Sequence, residues 1–119
     1  HTQYILQEQI TQAKVARYLG YGEESALRAA DLCNRVGYRS TRTLRAAIVQ
    51  ERRAGIPILS SNAGYFLPDA GEKGQREAAA FCRSLRSSAV NVFRAASAAW
   101  KYLGVLPEQI AMEERDGTL

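Results

Sequence analysis

The chain has 119 residues, 46% apolar and 24% charged, with 16 basic and 12 acidic side chains for a net charge of +4. That length buries one hydrophobic core with an appended element, in the composition range of ordinary globular chains. No apolar run approaches the roughly 20 residues needed to cross a bilayer, and no signal-peptide pattern opens the chain, which predicts a cytoplasmic protein with no membrane contact.

The first segment, residues 3–19, is Gln-rich and weakly periodic. Thr11 is a plausible N-cap for a helix carrying Val15, Ala16 and Leu19 on one side, with Gly20 just past its end. Residues 20–25 then form a turn with two Gly and two Glu, and Ala26-Leu27 can supply a very short strand.

Ala29, Leu32, Cys33 and Val36 have the spacing of one buried helix face, with Arg28 and Arg35 opposite. Gly37 stops this helix, and Ser40 is placed to cap the next through the backbone N–H of Thr43. The second helix extends to about Ala54, where Gly55 ends it. At 100° per residue Leu44, Ala47 and Ile48 group on one side and face the core. Arg42, Ala46, Val49 and Arg53 centre the opposite side, flanked by Arg45 and Gln50. Glu51 is the only acid on this helix, and it falls toward the buried boundary.

From Ile56 the period changes. Residues 58–60 and 65–67 read as two strands separated by Ser61-Asn62-Ala63-Gly64, a tight hairpin that must pack on the preceding helices to be stable. Pro57 and Pro68 bracket it at a sheet edge.

After a polar linker comes the longest element. Ala78, Cys82, Leu85, Ala89, Val92, Ala96, Ala99 and Leu103 alternate spacings of four and three for close to four heptads. Phe81, Phe93 and Trp100 widen this stripe, and Gly104 and Pro107 end the helix. The stripe either folds back on its own domain or pairs with a second copy; the homodimer is the favoured expectation. Both Cys33 and Cys82 are expected in the core as small hydrophobes. With two Cys and one His there is no zinc set, so no metal and no cofactor are expected. The expected organisation is residues 1–72 as one domain, 73–107 as the long helix, and 108–119 as a loose acidic tail.

Charge is unevenly spread. Residues 28–53 hold seven Arg against Asp31 and Glu51, a local excess of +5, and residues 76–107 hold a further +4. Clustered positive charge implies a polyanionic partner more than the overall balance does. The turn around Gly37, with Leu32, Val36, Leu44 and Ile48 inward, fits a helix-turn-helix.

Arg42-Thr-Leu-Arg45, Glu51-Arg-Arg-Ala-Gly-Ile-Pro-Ile-Leu-Ser-Ser61 and Gly64-Tyr-Phe-Leu-Pro68 resemble small bacterial and prophage winged-helix DNA-binding proteins. The same order is found in the N-terminal domains of biotin-repressor-like and DeoR-like regulators. The resemblance covers roughly residues 11–68. It implies a mainly helical α+β fold: a winged helix-turn-helix with a small hairpin, followed by one long C-terminal helix. It also implies that residues 40–54 form a recognition helix and that residues 61–64 are the wing tip. In place of an effector or enzymatic domain stands the long helix, so no small-molecule effector is expected.

On this reading Arg42 and Arg45 reach base edges, where Arg bonds guanine bidentately. Thr41 or Ala46 meets a thymine methyl. Arg28, Arg39 and Arg53 hold phosphates, which fixes register without reading sequence. Ser40 opens the recognition helix, and Ser61 and Asn62 touch the backbone or minor groove. The expected function is sequence-specific binding of double-stranded DNA by a transcriptional regulator. A protein-docking adaptor, or a phage replication or recombination accessory, is the alternative. Catalysis is not expected, because the lone His is terminal and no phosphate loop or Ser-His-Asp set can be assembled.

Overall fold

Among the described residues the fold has four α-helices and one hairpin: α1 (Thr2–Gln12), α2 (Ala29–Val36), α3 (Thr41–Arg53), β1 (Leu59–Ser61), β2 (Gly64–Phe66) and α4 (Gly71–Leu103). The computed structural model describes residues 2–104, with side chains from Leu6 onward. The architecture is mainly helical α+β, with a two-stranded antiparallel sheet and a long final helix. The expected stop at Pro107 and the acidic tail, residues 108–119, lie outside the described residues. Among the described residues no helix is long and apolar enough to cross a membrane.

The helix expected to start at Thr11 instead ends there. The Thr11 hydroxyl donates back to the carbonyls of Gln7 and Glu8, and α1 closes at Gln12. The chain then makes one 3-10 turn, Ala16–Tyr18, with Val15 and Ala16 fully buried. The reason is a tertiary cap. The Glu51 carboxylate accepts from the backbone N–H groups of Val15 and Ala16, both at 2.9 Å. A turn whose free amides are satisfied by a residue 35 positions away needs no cap of its own.

The next two helices obey their local signals. Gly37 adopts the left-handed conformation at φ 96°, and the amides of Gly37 and Tyr38 both bond the Cys33 carbonyl. Ser40 caps α3, its hydroxyl accepting from the Thr43 N–H at 3.2 Å. Leu32, Leu44 and Ile48 are buried beside Val15, Ile58 and Leu67 in one core.

The hairpin pairs Leu59 with Phe66, Ser60 with Tyr65 and Ser61 with Gly64. Its outer edge is covered by two single-residue bridges. Leu27 exchanges both backbone bonds with Tyr65, and the Gly20–Gly22 segment bonds both ways to Leu67. Gly64 sits at φ 128°, where a Cβ would collide with the Leu27 carbonyl. Only glycine lets the strands approach so closely.

The chain divides into two compact units, His1–Cys82 and Arg83–Leu119. The first therefore includes the opening turns of α4. There, Gly74 is buried against the Asp69 carbonyl, and the Glu77 carboxylate accepts from the amides of Glu23 (2.8 Å) and Asp69 (3.0 Å). Lys73 adds ion pairs to Glu24 and Asp69. Cys33 is buried as expected, but Cys82 is exposed, contrary to the expectation. Phe81 is partly buried, and every residue from Cys82 to Ala95 is exposed.

Two outcomes test this frame. Glu51→Ala is expected to lower unfolding free energy by about 2 kcal/mol, because two amides lose a charged acceptor. Thermal melting should show a fall of roughly 10 °C, with Glu72→Ala, at an exposed position, unchanged. For Glu77, burial alone would raise the carboxyl, but the two amides and the Lys73 ammonium outweigh it and hold it below the ordinary value near 4.5. Its contribution is then complete above that value and is lost as pH falls through the lower folded value. Glu77→Gln should accordingly flatten the decline of stability on the acid side, read by urea unfolding at several pH values.

Candidate nucleic-acid interface

The rotation of α3 about its axis decides which groups it offers. Leu44 and Ile48 are buried, Ala47 and Glu51 partly so, and Thr41, Arg42, Arg45, Ala46, Val49 and Arg53 are exposed. Val49 is 43% exposed, a branched apolar side chain set between arginines on the outward face. The helix thus presents cations interleaved with small and apolar groups, while its acid is turned inward onto two amides.

The expected site residues fall into two groups. Arg39 and Ser40 occupy the turn leading into α3, and both are exposed. The Ser40 oxygen is engaged by the Thr43 amide and lies 3.0 Å from the Thr43 hydroxyl, so its first role is structural. Thr41, Arg42, Arg45, Ala46 and Arg53 share α3.

Arg28 lies elsewhere. It is the N-cap residue of α2, about 12 Å along that helix from the turn that holds Arg39. Its backbone nitrogen sits against Gly64, beside the hairpin. Ser61 ends β1 and Asn62 follows in the exposed turn, where the Ser61 hydroxyl accepts from the Ala63 amide at 3.1 Å. Arg28 therefore brings a cation beside a hairpin whose tip carries none.

One arginine of the basic cluster is lost to structure. Arg52 turns under α3, its Nε donating to the Ile58 carbonyl at 2.8 Å and its guanidinium lying 4.9 Å from the centre of the Phe81 ring. Its Nη2 is buried without an acceptor among the described residues, and burial pulls its pKa below the ordinary guanidinium value. The exposed cations of this region are then Arg28, Arg35, Arg39, Arg42, Arg45 and Arg53. Among the described residues none of them is within salt-bridge distance of a carboxylate; the ion pairs present all lie around Lys73 and Arg76.

Sequence reasoning placed Glu51 at the buried boundary but missed what it binds. It missed the tie made by Arg52 altogether, since the Arg52 partners lie just before β1 and in α4. Among the described residues no His, Cys, Asp and Glu set could hold a metal ion. A concavity of about 400 Å³ is lined by Leu6, Ile10, Tyr21 and Pro68 with the Asp69 and Ala70 segment, and it contains no nucleophile–base pair. Comparison of the chain with protein families, with curated proteins and with solved structures finds no match.

Neighbouring arginines with opposite roles provide a test. Arg52→Ala should destabilise by about 1–3 kcal/mol, because the hairpin carbonyl and the Phe81 face lose their partner. Arg53→Ala, a change of exposed charge alone, should stay within about 0.5 kcal/mol of the parent in urea unfolding.

Proposed function

We propose that this chain binds double-stranded DNA, with α2 and α3 as a helix-turn-helix, α3 as the recognition helix and the β1–β2 hairpin as the wing. The observation that carries the reading is the exposed face of α3, whose guanidiniums pair with no carboxylate among the described residues. A solvated face would usually interleave both signs. A face meeting phosphates and base edges needs positive charge, reach and little bulk.

In this reading Arg42 and Arg45 enter the major groove and read guanine through O6 and N7. Ala46 and Val49 approach close enough for contact with thymine methyl groups. Arg39 and Arg53 bracket the helix and hold phosphates on either side, which fixes its position along the duplex. Arg28 takes a phosphate next to the wing, while Ser61 and Asn62 add uncharged contacts there. The role this serves best is a regulator that occupies a defined DNA site, of the kind found among small bacterial and prophage proteins, and no step in it is catalytic.

Selection of bound oligonucleotides from a random pool tests the reading and yields the site. On the selected site, Arg42→Ala or Arg45→Ala should cost about 1–3 kcal/mol and relax the preference at one position. Arg28→Ala should weaken every sequence alike and reduce the salt slope by about one. A folded quadruple variant with Arg39, Arg42, Arg45 and Arg53 all changed to Ala that still binds duplex as the parent does would overturn the assignment. A chain that docks proteins through this face would enrich no sequence at all.

A further inference from the structure

The second unit presents an apolar stripe with no partner among the described residues. Leu85, Val92, Phe93 and Leu103 are 51%, 69%, 55% and 64% exposed, well above what isolated surface hydrophobics require. Four cations of the helix avoid this stripe. Arg76, Arg83, Arg94 and Lys101 are spaced by seven, eleven and seven residues, which lines them up on the opposite side. Their spacing keeps to the helix's own period of 3.6.

The stripe does not. It alternates four and three throughout, a seven-residue repeat that drifts about 20° per heptad on a straight helix. Such a repeat stays in line only when the helix winds around another. A membrane surface would impose no such requirement, and the many Ala in the stripe give little area to insert.

We propose that α4 pairs with α4 of a second copy, running antiparallel, with Leu85 packed on Ala96 of the other chain and Ala89 on Val92. Volume argues for that direction. Read against its own reverse, the stripe sets one large residue opposite one small residue in three of its four distinct layers, and in the fourth Cys82 meets Ala99. A parallel pair would stack Leu on Leu and then Ala on Ala, crowding some layers and leaving gaps in others. The two-fold axis then passes between Ala89 and Val92, giving the isologous contact of a closed dimer.

Charge and area agree with a second copy. Arg86 is the one cation flanking the seam, and the antiparallel register brings it beside Phe93 of the other helix, where its charge meets a ring face. No two like charges face each other across the seam. Phe93, Trp100 and Tyr102 can cover on the order of 400 Å² from each copy. With the aliphatic layers the pair comes within the roughly 1,200–2,000 Å² total of a stable interface.

The test needs no DNA, so its outcome is independent of the DNA-binding assignment. Sedimentation of the full chain should give a dimer at tens of micromolar, and Val92→Asp should weaken it at least a hundredfold. Direction is read by oxidation. Ala99→Cys together with the native Cys82 should yield a disulfide-linked dimer, since the two positions are about 25 Å apart on one helix and cannot bridge within it. The unaltered chain should form no Cys82 bridge. A monomer at high concentration would overturn the pairing, as would a monomer whose Trp100 fluorescence shifts only with phosphatidylglycerol vesicles. Ready Cys82–Cys82 linkage in the unaltered chain would overturn the direction.

Discussion

The constraint on which the rest depends is the rotational setting of α3. Leu44 and Ile48 are fully buried and Glu51 is bonded to the amides of Val15 and Ala16, so the helix cannot turn without breaking the core and a tertiary cap together. Arg52 locks the C-terminal end against Ile58 and Phe81. With those four residues fixed, the 100° step puts Arg42, Ala46, Val49 and Arg53 on the solvent side. The basic face is thus a consequence of packing. Removal of its guanidiniums should therefore leave the fold alone.

This arrangement also separates two jobs that the arginine cluster had combined. Seven arginines lie between residues 28 and 53, but Arg52 is structural, and one carbonyl and one aromatic face offset part of its cost in desolvation. The acids are similarly sorted. Glu51 and Glu77 satisfy backbone amides far away in sequence, so two carboxylates that would weaken a polyanion-binding surface are used inside the unit. What remains exposed beside the helix pair is mostly positive.

The features legible in the chain were those fixed by local chemistry. Gly37 as a stop, Ser40 as a cap, Gly55 as an end and the Asn62-Ala63 turn each follow from what one residue's backbone can adopt. The single-residue bridge at Leu27 was also foreseeable as a very short strand. Thr11 was misread because its meaning depends on Glu51: without that distant acceptor a start at Thr11 is the better local reading. Cys82 was misread because a heptad stripe says only that a face is apolar. It does not say which turns of a helix are covered, and an exposed run begins right after Phe81. The outward direction of Arg42, Arg45 and Arg53 came from helix geometry. The inward path of Arg52 could not, since a long side chain near the boundary can take either course.

The most direct measurement of the central claim is the affinity of the unmodified protein for a random-sequence duplex as a function of salt. If the exposed arginines of residues 28–53 face phosphates together, log K should fall with log salt at a slope of roughly −4 to −5, as four to six phosphates are neutralised. A slope near zero, or no retention at low salt by a protein that is fully folded, would contradict the account.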